Sequence, residues 1–128
     1  MFQNLDIFKM SHAMAVHAAN RQSVVAQNLA NADTPGYTAL SVSSFQDIVQ
    51  HQNSGSGMLA TRPKHIGASS GMASSDLASD ARSRSPNGNS VSLEEEMMKA
   101  VGIQRQHGRA LAIYKSSLGI LRTSLGRR

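Results

Sequence analysis

Two apolar periodicities of the same kind, one at each end of the chain, restrict what this sequence can fold into more than any other feature. At alternating spacings of four and three, the first third places Met1, Leu5, Phe8, His12, Ala15, Ala19, Gln22, Ala26 and Leu29 on one line, seven of the nine apolar. That is a heptad seam on an amphipathic helix. The same spacing in the last third gives Leu93, Met97, Ala100, Gln104, His107, Leu111, Tyr114, Leu118, Leu121 and Leu125. Each helix also carries a second stripe: Ile7, Met10, Met14, Val24 and Val25 on the first, and Ile103, Ala110, Ile113 and Ile120 on the second. One partner helix covers one seam, so two stripes per helix predict an antiparallel pair that also packs against other copies. Small Ala residues in the first seam allow a neighbouring backbone to approach closely.

The stretch ANADTPGY, Ala30 to Tyr37, ends the first helix. Thr34 precedes Pro35, which disfavours α geometry, and Gly36 then permits the turn. Asn31 and Asp33 stand where they can satisfy helix-end or neighbouring backbone groups. The second helix opens at SVSLEEEMM, where Ser92 with Glu95 three residues on forms a capping box. Glu94, Glu95 and Glu96 suit the positive end of the helix dipole. Between the helices, residues 41–91 are rich in Ser and show no sustained period. SSFQDIV fits a short helical turn, and MLATRPKHIG fits an extended segment because Arg62 stands before Pro63. Residues 68–90 lack the apolar content to offset ordering entropy, which predicts no regular structure unless something clamps them. The predicted organisation is mainly α: an N-terminal helix over 1–33, a loop-rich region over 34–91 with little regular structure, and a C-terminal helix over 92–126. The two long helices form an antiparallel, coiled-coil-like pair within one assembly domain.

Composition excludes more than it assigns. A chain of 128 residues with three Phe, two Tyr and no Trp lacks the aromatic area a self-contained core usually draws on. There is no cysteine, hence no disulfide framework and no thiolate metal site. The start MFQNLDIFKM has neither a cationic region nor a long apolar run, so it does not resemble a cleaved secretory signal, and no stretch is apolar enough to span a bilayer. His12 and His17 are five residues apart and do not share a helix face as a metal pair would. His12 and His107 fall on the seams and are read as interface histidines. No serine sits in a nucleophile elbow, and three consecutive glutamates do not converge on one point. No active site, metal site or cofactor site is expected. Lys99, Arg105, Arg109, Lys115 and Arg122 contribute to a net charge of +5. They are read as the polar flank of a coiled coil; the alternative is a small helical-hairpin adaptor that binds nucleic acid or another protein.

NLANADTPGY, Asn28 to Tyr37, resembles the signature of the bacterial flagellar rod and hook axial family. The short chain without an inserted globular domain, the segment TRPKHI (Thr61, Pro63, His65, Ile66), the opening NGNSVSLEEEMMK and the close YKSSLGILRTSL resemble the FlgB-type proximal rod branch of that family. Residues 67–85 match nothing of the family pattern, and Gln106-His107-Gly108 stand where an aromatic is commoner. The resemblance implies a non-enzymatic structural subunit that assembles helically in the proximal rod of the basal body and passes torque along it. The expected partners are other copies, other rod subunits, the membrane ring and its adaptor, and no nucleic acid. It implies assembly through Asn31, Asp33, Thr34, Pro35, Gly36 and Tyr37 of the turn, Tyr37 packing between subunits. The helix seams implied are Leu5, Phe8, Ala15, Ala19, Leu29, Leu93, Met97, Leu111, Tyr114, Leu118, Leu121 and Leu125. It further implies export to the periplasm by the flagellar type III apparatus, without a cleaved signal, with Phe45 and Val49 of FQDIV as the contact for the export gate.

Overall fold

The computed structural model describes residues 3–54, 77–80 and 85–126. Five elements follow one another: α1 (Gln3–Ala30), β1 (Ala39–Val42), α2 (Phe45–Ser54), β2 (Leu77–Asp80) and α3 (Leu93–Ser124). Neither Gly nor Pro occurs in α1, and its Ala, Met, Leu and Gln are good helix formers. It closes in tightened turns, with the Asn31 amide donating to the Gln27 and Asn28 carbonyls and Ala32 to Leu29. The α3 helix starts as its spacing predicts: Ser92 is the N-cap, its hydroxyl accepting from the Glu95 amide at 3.5 Å. It stops at Leu125 and Gly126, where Gly126 takes a φ of 74° in the left-handed region that favours glycine.

The two long helices run antiparallel. Phe8 near the start of α1 meets Tyr114 edge to face at 5.2 Å, Arg21 donates to Gln106 at 3.2 Å, and Asn28 reaches Glu96 at 3.1 Å. At about 1.5 Å per residue, α1 and α3 are on the order of 40 and 50 Å long. The mainly helical, paired architecture is the one the sequence predicts. Its contact line is not the predicted seam. The buried residues on the line of contact are Ser11, Ala18, Val25 and Asn28 on α1 and Glu96, Ile103 and Ala110 on α3, with Ala13 and His17 of α1 buried beside it. Ser11, Ala18 and Val25 are seven apart, as are Glu96, Ile103 and Ala110. Both heptads are correct in period, but the line that meets lies one residue before the predicted one, about 100° round each helix. Ala18, Val25 and Ile103 form the core cluster, with Ala100 against it. Small side chains bring the backbones close here, and most of the bulkier Leu and Met are left outside; of the tyrosines, Tyr114 is still in contact with Phe8 at the far end of the pair.

The middle holds more structure than its composition suggests. SSFQDIV opens a ten-residue helix rather than a single turn. Residues 77–80, inside the stretch expected to lack regular structure, pair as β2 antiparallel to β1, with Ala39 opposite Asp80 and Val42 opposite Leu77. The clamp anticipated as a condition is thus supplied by the chain itself. The TRPKHI segment and the side chain of Leu5 lie outside the described residues.

Candidate functional site

Two polar runs from opposite ends of the sequence meet where α1 leaves off and α3 begins. Asn89 is buried, and its amide nitrogen donates to the carbonyls of Asn31 at 3.0 Å, Ala32 at 2.6 Å and Thr34 at 3.0 Å. These carbonyls belong to the turn that follows α1, where those of Asn31 and Thr34 also accept from the Thr34 and Tyr37 amides. The Asn89 side-chain oxygen accepts from the Val91 amide at 2.7 Å, and its own amide donates to Asn87 Oδ1. Backbone bonds complete the clasp: Gly36 N–H to the Asn87 carbonyl at 3.1 Å, and Ser90 N–H to the Tyr37 carbonyl at 3.0 Å. Gly36 and Gly88 both have positive φ, 73° and 80°, and a side chain at 88 would stand 3.4 Å from the Gly36 Cα. Asn31 bonds back to the Gln27 carbonyl at 2.8 Å, the helix-end role its position suggests. Asp33, Thr34 and Pro35 are exposed.

One turn back, Asn28 is fully buried. Its amide nitrogen donates to the Leu40 carbonyl at 2.7 Å and to Glu96 Oε2 at 3.1 Å, and its oxygen accepts from the Leu40 amide at 2.9 Å. The side chain therefore pairs with β1 as a neighbouring strand would. The Tyr37 hydroxyl also donates to the Asn28 oxygen, at 3.3 Å, so this half-buried ring is engaged within its own chain. Glu96 is buried, and its second oxygen takes Lys99 Nζ at 2.7 Å. A buried carboxylate is tolerable only when paired and bonded in this way. Asn28, Asn89 and Glu96 were not expected as key residues. The signal available was an unusual density of Asn in the two motifs, 28–31 and 87–89, at positions where a plain turn needs only Gly and Pro.

Most of the predicted seam residues lie on the outer faces, while Phe8 and Tyr114 meet across the helix pair and Ala100 packs against the core cluster. Leu29, Leu93, Met97, Leu111, Tyr114, Leu118 and Leu125 are exposed in the single chain, as is Ala19; Phe8, Ala15 and Leu121 are half-buried. His12 and His107 are exposed as well, so neither is held in the contact between α1 and α3. Seam positions from both helices do come together. Ala19, Gln22 and Ala26 of α1 face Ala100, Gln104 and His107 of α3 across an open, largely apolar groove of ≈ 650 Å³.

His17, weighed in the sequence only as half of a metal pair, is buried in α1 with its Nε2 lacking any hydrogen-bond partner. Its ring lies 5.6 Å from that of Phe45, the first residue of α2. Burial, and then the neighbouring Arg21 guanidinium, hold its pKa below the ordinary value, while a backbone contact with Ser43 pulls it up. Phe45 and Val49 are both half-buried in the docked α2. Among the described residues, no cluster of three His, Cys, Asp or Glu is placed to hold a metal ion, and no helix is long and apolar enough to cross a membrane.

Residues 13–38, from the middle of α1 through the turn to the edge of β1, match the family model described as flagella basal body rod protein. The chain is 35% identical over 120 residues to the flagellar basal body rod protein FlgB of Agrobacterium fabrum, covering 89% of this chain and 88% of that protein. The chain belongs to the FlgB family of flagellar basal body rod proteins. A FlgB protein of Bacillus subtilis is 36% identical over 78 residues, 60% of each chain. The chain is thus a structural subunit of the flagellar basal body rod. The family-model match over 13–38 takes in Ala18, Val25, Asn28 and Tyr37, half of the clasp and half of the helix contact.

The α3 helix of this FlgB family member holds three glycines, Gly102, Gly108 and Gly119, each with open space where a side chain would begin. A mid-helix glycine costs about 1 kcal/mol against alanine. Gly108→Ala is expected to stabilise the isolated chain by about that amount in urea denaturation followed by circular dichroism.

Proposed function

We propose that this chain is a subunit of the proximal rod, assembling helically through the outer faces of α1 and α3 and passing torque to the next rod subunits. One observation carries the reading: α3 leaves Leu93, Met97, Met98, Val101, Leu111, Ile113, Tyr114, Leu118, Ile120 and Leu125 exposed in the single chain. So much apolar surface along one helix marks an interaction surface rather than a finished protein exterior. The exposed residues are not confined to one stripe, which suits a subunit with several neighbours. The clasp at the turn motif contributes stiffness. With α1 ended on Asn89 and β1 bonded to Asn28, a load along one helix is carried into the other without sliding.

The proposed partners are other copies, other rod subunits, and the membrane ring with its adaptor. The proposed place is the periplasmic part of the basal body, reached through the flagellar type III apparatus without a cleaved signal. Phe45 and Val49 would meet the export gate before α2 docks, since both are partly covered afterwards. No catalytic role is proposed.

Deleting the gene in its host and imaging isolated basal bodies tests this directly. The expected result is membrane rings without a rod and cells that do not swim, both restored by the full chain. Normal flagella in the deletion strain would overturn the reading.

A further inference from the structure

The α2 helix is lightly packed. Among the described residues it makes no extensive contact with α1 or α3, and its anchorage there is its first turn, where Phe45, Ile48 and Val49 are half-buried. At that turn the Phe45 ring meets His17, a side chain only 7% exposed whose Nε2 has no partner. We propose that α2 is a flap held shut over the neutral His17 side chain, and that protonation of His17 releases it.

A proton on the buried Nε2 creates a cationic N–H with no acceptor, which is far costlier than a neutral orphan nitrogen. Among the described residues, the charges and dipoles that act on it are the Arg21 guanidinium and the Ser43 backbone, and no carboxylate is among them. On α1, the nearest charged group is Arg21, one turn on, itself donating to Gln106 of α3. On the approach to α2, the Ser43 backbone favours the charged form but is outweighed by burial and Arg21. On α2, Asp47 is exposed and accepts from Ser44 Oγ at 2.6 Å. On α3, the residue at this level is the neutral Gln106, and the flanking Arg105 and Arg109 are exposed and cationic. The charged imidazole finds relief by reaching water, and the Phe45 contact stands in its way.

The docked His17 has a pKa below the ordinary ~6.5 of a solvated histidine. The undocked state therefore binds the proton more tightly. Docking is at full strength above about pH 6.5 and weakens as pH falls below it, by at most about tenfold per pH unit for one group. Release uncovers the apolar edge formed by Phe45, Ile48 and Val49. The inference stands whether or not an export gate reads those residues.

Hydrogen exchange of the full-length chain at pH 5.5 and 7.5, corrected for the intrinsic pH dependence of exchange, reads the flap. The α2 amides are expected to open more often at pH 5.5, by up to about tenfold, with those of residues 18–25 in α1 unchanged. His17→Leu should abolish the difference while retaining His51 in α2, whose own titration then cannot account for it. Equal protection of α2 at both pH values, or the same pH response in His17→Leu, would overturn the proposal. Should His17→Leu not fold, Phe45→Ala gives a second reading. Uncovering His17 should raise its NMR titration midpoint toward about 6.5, and an unmoved midpoint counts equally against the flap.

Discussion

Asn89→Ala is expected to lower the stability of the isolated chain by about 2–4 kcal/mol, the largest loss for any single side chain in the turn region. The truncation removes one donor group serving three carbonyls and one acceptor serving the Val91 amide. Each buried polar group left without a partner costs about 1–3 kcal/mol, and water reaching the vacated space restores part of that. The result is large because the chain has so little else. Among the described residues the buried apolar side chains are Ala13, Ala18, Val25, Ala39, Ile103 and Ala110, and burying an alanine contributes far less than burying a leucine. Asn31→Ala removes two solvent-accessible bonds, one to the Gln27 carbonyl and one from the Thr34 hydroxyl, and is expected to cost about 1 kcal/mol, since water replaces both partners. Asn89→Asp, nearly identical in shape, should be worse than alanine, because it sets a carboxylate against three carbonyl oxygens. Urea denaturation followed by circular dichroism ranks the three. Equal midpoints for Asn89→Ala and Asn31→Ala would show that the turn is held by its backbone alone.

Periodicity made the two helices legible. The spacing of apolar residues gave both long elements, and Pro35, Gly36, Ser92 and Glu95 gave their inner ends to within a few residues. Which stripe would face inward was not legible, because a heptad line and the line one residue before it have the same period. Composition points to the richer stripe. The chain buries the poorer one, since Ala18 and Ala110 let backbones approach where Leu111 and Met97 would hold them apart. An assembling subunit gains by this choice, because its largest apolar side chains remain available to neighbours.

The strand pair was illegible for a different reason. Leu77–Asp80 carries no alternation and little β preference, and its pairing depends on β1, which is in turn fixed by the buried side chain of Asn28. A helical asparagine that bonds a strand backbone cannot be told by spacing from one that faces water. His17 is of the same kind: it sits next to Ala18 on the inward side, in register with Met10 and Val24 of the second stripe, and spacing alone does not tell a buried histidine there from a solvated one.

Leu111→Gln, Leu118→Gln and Leu125→Gln combined are expected to leave the isolated chain folded and to abolish rod assembly. The three lie seven residues apart on one face of α3 and are 43%, 44% and 80% exposed in the single chain. Glutamine is nearly as good a helix former as leucine, so the helix itself loses only a few tenths of a kcal/mol per site. Burying a leucine in an interface contributes about 1.5–3 kcal/mol, so on the order of 5 kcal/mol per subunit is withdrawn from assembly. That is a factor of several thousand in a subunit's affinity for its site. In the deletion strain, the triple variant should accumulate to the level of the unaltered chain yet give rings without rods and no swimming. Its circular dichroism should match that of the unaltered monomer. The same substitutions at Ser116 and Arg109, exposed on the polar side of α3, should leave swimming intact. Two outcomes are decisive. Motile cells carrying the triple variant would mean that this face of α3 looks into solvent in the assembled rod. A monomer that has lost its helix would mean that these leucines hold α3 within the chain itself, and the partition between an alanine-lined inner contact and a leucine-rich outer face would have to be reversed.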